Sequence, residues 1–246
     1  MDPKILVPLI LQIALILMIA SVGLQAHWRD VLTAVKSAHG VLRAVVAVNV
    51  VVPLVAVLTC LALPIATPIK VGILVMAVSP LAPLVPGKLV RGGMDASRVA
   101  GLYAFLALLS VLIVPATVAL LSWLFPAEVH LSIAAIGRLV ATSVLVPLTA
   151  GIFIGSVAPT LATRMVKPVA IAAYATLGVI GLAVLVMEVG QIVALVGIGA
   201  VFAMAAAAGS DIVAGHLLGG PDILTRKSLA IAAATRHPGI AALIAN

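Results

Sequence analysis

Charge is scarce in this 246-residue chain: 9% of its side chains are Asp, Glu, Lys or Arg, and only seven are acidic. A soluble domain of this length needs a polar surface that so few charged groups hardly cover, which argues against a water-soluble fold. Cysteine is nearly absent. Cys60 stands alone, so an intrachain disulfide and a cysteine metal cluster are both excluded. Aromatic residues make up 3%, with Trp28 and Trp123 placed to act as anchors at the water–lipid boundary. The fourteen Lys and Arg give a net charge of +7, yet they are scattered singly and form no basic stripe, so nucleic acid is not an expected partner.

What fills the chain is apolar sequence, 64% of residues with a mean hydropathy of +1.37. Runs of about 20 apolar residues cross a bilayer as helices. Such runs predict spans near 5–25, 41–63, 69–86, 98–125, 130–157, 167–187, 190–212 and 223–246. The first lacks a strongly basic flank and a small-residue cleavage site, so it reads as a retained helix, not a signal peptide. Membrane lipid is therefore the surrounding partner.

The basic residues fall on alternate loops. Arg29, Lys36, Arg43, Lys88, Arg91, Arg98, Arg164, Lys167, Arg226 and Lys227 occupy the first, third, fifth and seventh connections, whereas Lys70 is the one basic residue of the others, alongside Glu128, His130 and Glu188. Basic loops stay on the cytoplasmic side. This predicts a multi-pass protein of the cell (plasma or inner) membrane with its N-terminus outside and a cytoplasmic face suited to anionic lipid. Within the spans, Gly151-x-x-x-Gly155 and Gly197-Ile198-Gly199 predict close helix contacts, and Pro53, Pro115 and Pro147 predict kinks.

Two segments depart from uninterrupted helix: Ser79-Pro80-Leu81-Ala82-Pro83-Leu84-Val85-Pro86-Gly87 and Thr235-Arg236-His237-Pro238-Gly239. Broken helix at membrane depth is tolerated only where protein or a water-filled cavity surrounds it, and one such break in each half of a chain points to a transporter's midplane site. Prolines 80, 83 and 86 each remove a donor and free carbonyls, which suit cations, while half-helix N-termini suit anions. At the second break a cation, an imidazole and open backbone come together, an arrangement that attracts an anion. Other polar groups read as ordinary: Asp211 and His216 as a loop-end pair in water, Arg138 as snorkelling to the interface, and Asn49 as an interhelical hydrogen bond.

With these motifs in view the chain resembles the bile acid:sodium symporter family of secondary transporters. The likeness rests on Met18 to Gln25 followed by Trp28-Arg29-Asp30, on Asn49 to Ala56 with its central Pro53-Leu54, and on Gly72 to Pro80 with Arg91-Gly92-Gly93. Val146-Pro147-Leu148-x-x-Gly151 and Ala230 to Ala242 complete it. The resemblance implies an all-α membrane protein built as an inverted repeat, with panel and core domains and two discontinuous helices crossing in the core. Residues 1–246 would form one polytopic domain, 1–126 a first repeat and 127–246 a second. The pattern fits the nine-helix type lacking the family's first helix, apparently truncated before the last.

Family sodium sites use a serine–asparagine pair at positions here near Pro83 and Leu84, and a glutamate and glutamine that become Ala232 and Arg236. A methyl group in place of a carboxylate, with a guanidinium added, puts positive charge where the ion would sit. Arg236 then replaces the ion, or coupling uses protons, or coupling is absent. The coupling ion stays open between Na+ and H+, and no metal or other cofactor is expected. The expected function is secondary transport of a small organic anion by alternating access, without catalysis. Ser79, Pro80, Pro83, Arg236, His237 and Pro238 are the expected substrate-binding residues, Arg236 pairing with a carboxylate or sulfonate. The rivals are an arsenite-like oxyanion efflux carrier, a membrane enzyme using Asp211 and His216, and a degenerate protein that transports nothing.

Overall fold

Among the described residues each apolar run falls on one helix or on two consecutive ones. The computed structural model describes residues 3–36, 38–83, 85–125, 132–195, 197–237 and 240–241. In chain order the helices are α1 (Pro3–Gly23), α2 (Trp28–Lys36), α3 (Ala38–Val46), α4 (Val52–Ala62), α5 (Thr67–Val78), α6 (Val85–Arg91) and α7 (Ala96–Leu124). Then follow α8 (Ile133–Val140), α9 (Val146–Val157), α10 (Pro159–Leu195), α11 (Ile198–Leu218) and α12 (Ile223–Ala234). Among the described residues, 6 stretches are long and apolar enough to cross a membrane: Leu6–Gly23, His39–Ala62, Ala96–Leu124, Ile133–Val157, Pro159–Gly190 and Gly199–Leu218. The protein is an all-α membrane protein. α5 and α12 have 12 residues each, about 18 Å of helix at about 1.5 Å per residue, too short to cross alone.

The expected kinks at Pro53 and Pro147 take a more specific form. α3 runs into α4 through a π-helical turn, Ala47–Val51, and α8 into α9 through another, Ala141–Leu145. Each turn is followed by a Val-Pro pair, and the N–H of Val52 and of Val146 reaches back five residues, to Ala47 and Ala141. A wider turn relieves the clash of the proline ring with the preceding carbonyl while the helix continues.

The fifth connection, one of the four basic ones, is not a loop. α10 begins at Pro159 and holds Arg164 and Lys167 on its first turns. Proline suits the first helical position, and Lys and Arg are good helix formers, so nothing in that stretch stops a helix from starting early. Large apolar side chains on α10 and α11 face outward, among them Val179, Leu182, Val193 and Leu217, as lipid-facing helices require.

Small residues set the closest contacts. α1 packs on α9 and α10, and α12 on α11, which also meets α4. At the α1–α9 seam, a Cβ added to Gly151 would lie 2.7 Å from the Ala20 carbonyl, and one on Gly155 would lie 2.9 Å from that of Leu24. Gly197 and Gly199, the other predicted contact, face open space. Asn49 makes no side-chain hydrogen bond with the described residues, and Arg138 is exposed.

Three helix starts are capped from the side. Asp95 accepts from the Arg98 N–H at 2.8 Å, Ser132 from that of Ala135, and Asp222 from the N–H (2.8 Å) and hydroxyl (2.6 Å) of Thr225. The Thr225 hydroxyl and then its N–H hold the Asp222 carboxyl below the usual carboxylate range. Its folded pKa is depressed, so the cap stabilises above the ordinary Asp range and is lost as pH falls through the folded value. In detergent, acidification through that window is expected to loosen α12 in the wild type and to have less effect on Asp222→Ala. Hydrogen exchange of the Thr225 and Arg226 amides reads this directly.

Candidate functional site: the crossing of two broken helices

Proline dictates where α5 stops. Pro80 has no N–H to give the Met76 carbonyl, and the residue before a proline is pushed to extended backbone. Ser79 is extended (φ −64, ψ 148), and its hydroxyl donates to the Met76 carbonyl at 2.8 Å, replacing the donor Pro80 lacks. The chain stays unwound through Ala82 and resumes as α6.

The second break lies against the first. α12 ends at Ala234, and Thr235 to His237 run antiparallel to Pro80 to Ala82, with Leu81 opposite Arg236. The His237 N–H donates to the Pro80 carbonyl at 3.1 Å, and the Ala82 N–H to that of Thr235 at 3.3 Å. Tyr103 on α7 donates its hydroxyl to the Leu81 carbonyl at 3.3 Å. Buried backbone polar groups must find partners, and the two unwound segments supply them to each other.

Arg236 completes that accounting. In a helix the Ser79 carbonyl would accept from residue 83, and in the π turn the Val48 carbonyl would accept from residue 53. Both are prolines. The guanidinium donates from Nη1 to the Ser79 carbonyl at 3.1 Å and from Nη2 to the Val48 carbonyl. Arg236 is buried, and its Nε has no partner among the described residues. No carboxylate lies within ion-pair distance of it there; the one described ion pair is His27–Asp30.

His237 is 1% exposed. Its Nδ1 accepts from the Ile240 N–H at 3.4 Å, which places the ring proton on Nε2, and Nε2 has no partner among the described residues. Ser79, Pro80, Pro83, Arg236 and His237 are thus gathered at one buried place, whereas Pro238 lies outside the described residues.

A cavity opens on each side of the crossing. One, of about 650 Å³, reaches Leu89 and Ala232 from the ends that carry the basic connections, where Arg43, Asp95, Arg98 and Asp222 line it. The other, of about 500 Å³, starts near Ile69 and Ala200 at the opposite helix ends and holds Asp211 and Arg236 in an otherwise apolar lining.

An apolar helical array with two helices broken and paired at their breaks is a transporter's layout. The family model described as "Sodium Bile acid symporter family" matches residues 12–195. The chain belongs to the sodium bile acid symporter family. No curated protein matches it significantly. The matched region of this symporter-family chain contains the first break and stops short of α11 and α12, so the placement of Asp211 and Arg236 rests on the geometry and not on the family match.

Two polar groups of the symporter-family chain, the Val48 carbonyl and the Asp211 carboxylate, were not placed by the sequence reading. Val48 offers only a carbonyl, and its availability depends on the π turn that no side-chain pattern announces. Asp211, expected at a span's end in water, sits inside α11 and is buried, because the helix continues through Gly215 and His216 to Leu218. Five residues on, His216 is about 140° round the same helix and lines neither cavity. A transporter family is consistent with the absence of a catalytic role for that pair. Cys60, which an arsenite-like carrier would place in its path, is buried beside the Lys70 carbonyl and lines neither cavity.

Proposed function

We propose that the chain is a secondary transporter that moves a small organic anion by alternating access, the crossing forming the barrier between its two cavities. One observation carries this reading. Arg236 presents a buried positive charge at the base of a largely apolar cavity, hydrogen-bonded only to neutral carbonyls, with Asp211 in the same lining but beyond ion-pair distance. A cation in low dielectric attracts an anion far more strongly than the same group in water. The apolar walls suit the organic body of the substrate, and Arg236 its carboxylate or sulfonate. Ser79, Pro80, Pro83 and His237, which lie at the crossing beside Arg236 and not in the cavity lining, are with Pro238 the further proposed substrate-binding residues. The basic connections lie on the cytoplasmic side of the cell membrane in this reading.

Sodium does not fit the crossing. Carbonyl oxygens that could ligate the ion, those of Val48 and Ser79, already accept from Arg236, and a fixed cation repels a second one. No step of the proposed cycle therefore runs through sodium.

Uptake of radiolabelled taurocholate and of small carboxylates and sulfonates into proteoliposomes tests both statements. Accumulation of at least one anion above protein-free vesicles, unchanged when choline replaces sodium, is expected. Failure of every anion would sink the transport reading, and a steep rise with sodium would sink the account of the crossing.

A further inference from the structure

We infer that Asp211 is a proton-binding site, and that its proton is the coupling ion of the cycle. The coupling role rests on the transport reading above; proton binding itself does not.

Asp211 projects from α11 into the 500 Å³ cavity and is 9% exposed. Its Oδ1 has neither solvent nor a hydrogen-bond partner among the described residues. A carboxylate buried in this way is retained only where something holds its charge or where it takes a proton. The lining offers Val52, Ala56, Ile73, Met76 and Ala207, none of which can donate, and one cation, Arg236. The other ionisable groups on the elements packed against α11 do not line this cavity: His39 and Arg43 on α3, Cys60 on α4, Lys70 on α5, and Arg226 and Lys227 on α12. His216, on α11 itself, is likewise outside it, and His237 follows Arg236 at the crossing without lining the cavity.

Asp211 therefore answers to one partner. Arg236 lies beyond ion-pair distance, tied to the Ser79 and Val48 carbonyls. When the guanidinium is near and unoccupied, it holds Asp211 as the anion. When an organic anion takes up the positive charge, nothing compensates the carboxylate and it accepts a proton from hydronium entering the cavity, which leaves as water. The reverse change returns that proton, so one O–H bond forms and one breaks per cycle. Substrate and proton are thereby linked through a single guanidinium, and the proton travels in the same direction as the anion.

Infrared difference spectra of the full chain in lipid, recorded across pH, test proton binding without any substrate. A carboxylic C=O band that titrates, vanishes in Asp211→Asn, shifts in Asp211→Glu and moves along the pH axis in Arg236→Lys is expected. A titrating band unaltered by these replacements, or no such band, would overturn the proposal. Should Asp211→Asn fail to fold, the Asp211→Glu shift decides. Taurocholate uptake driven by an inward proton gradient, and insensitive to the gradient in Asp211→Asn, is expected of the coupling; gradient-insensitive uptake by the wild type would overturn the coupling. If the wild type takes up no taurocholate or other anion, the transport reading falls and the infrared band alone decides whether Asp211 binds a proton.

Discussion

Replacing Arg236 with alanine is expected to reduce anion uptake to the level of protein-free vesicles and to destabilise the protein by about 2–6 kcal/mol. The stability figure follows from two buried carbonyls, those of Ser79 and Val48, left without donors at about 1–3 kcal/mol each. Denaturant unfolding in detergent measures it. Loss of uptake alone would not separate charge from scaffold, so Arg236→Lys is the companion. Lysine restores the cation but reaches two carbonyls less well than a planar fork, and partial uptake with partial stability is expected. A further cycle isolates the structural share. In a Pro83→Ala background residue 83 regains an N–H that can serve the Ser79 carbonyl, so Arg236→Ala should cost less there than in the wild type. Equal costs in the two backgrounds would refute the idea that proline creates the vacancy the guanidinium fills.

The second large effect lies at the α11–α12 contact. A Cβ on Gly215 would stand 2.5 Å from the Leu229 carbonyl and 2.7 Å from the Ala230 Cα. Backbone cannot yield as a flexible side chain does, so the two helices must part. Gly215→Ala is expected to destabilise by about 1–3 kcal/mol, overpacking outweighing the gain in helix propensity, and Gly215→Leu by more. Gly209, on the same helix, meets nothing within 4 Å. Gly209→Ala should be neutral or slightly stabilising. Thermal unfolding of the pair in one detergent provides the comparison, and similar losses at both positions would contradict the packing described for α12. Because α12 delivers Arg236 to the crossing, Gly215→Leu should also depress uptake.

Much of this architecture could be read from side-chain pattern. Apolar runs located the helices, since lipid demands about 20 such residues in succession. Three prolines between residues 80 and 86 located a break that glycine or one proline alone would not have required. What stayed hidden was the identity of partners. The guanidinium's acceptors are backbone oxygens, and every residue has one; only the missing N–H groups of Pro53 and Pro83 single out Val48 and Ser79, and the first of these needs a π turn. Asp211 was misread for a related cause. Gly215 and His216 resemble a helix end, but tight packing of Gly215 on α12 keeps the helix going, and that packing is a tertiary fact. Helix limits slipped likewise at α10, where charged residues that suggested a loop are carried on a helix extending past the apolar run.

The paired unwound segments also restrict how a transporter of this kind would open. Pulling Thr235–His237 away from Pro80–Ala82 would strip the Pro80 and Thr235 carbonyls of their donors inside a dry interior, and would tear Arg236 from Ser79. The tips of the two half-helices therefore behave as a single rivet joining the early and late parts of the chain. In the proposed cycle, passage is then left to sliding of the surrounding bundle past that riveted cross, whose own arms stay clasped throughout.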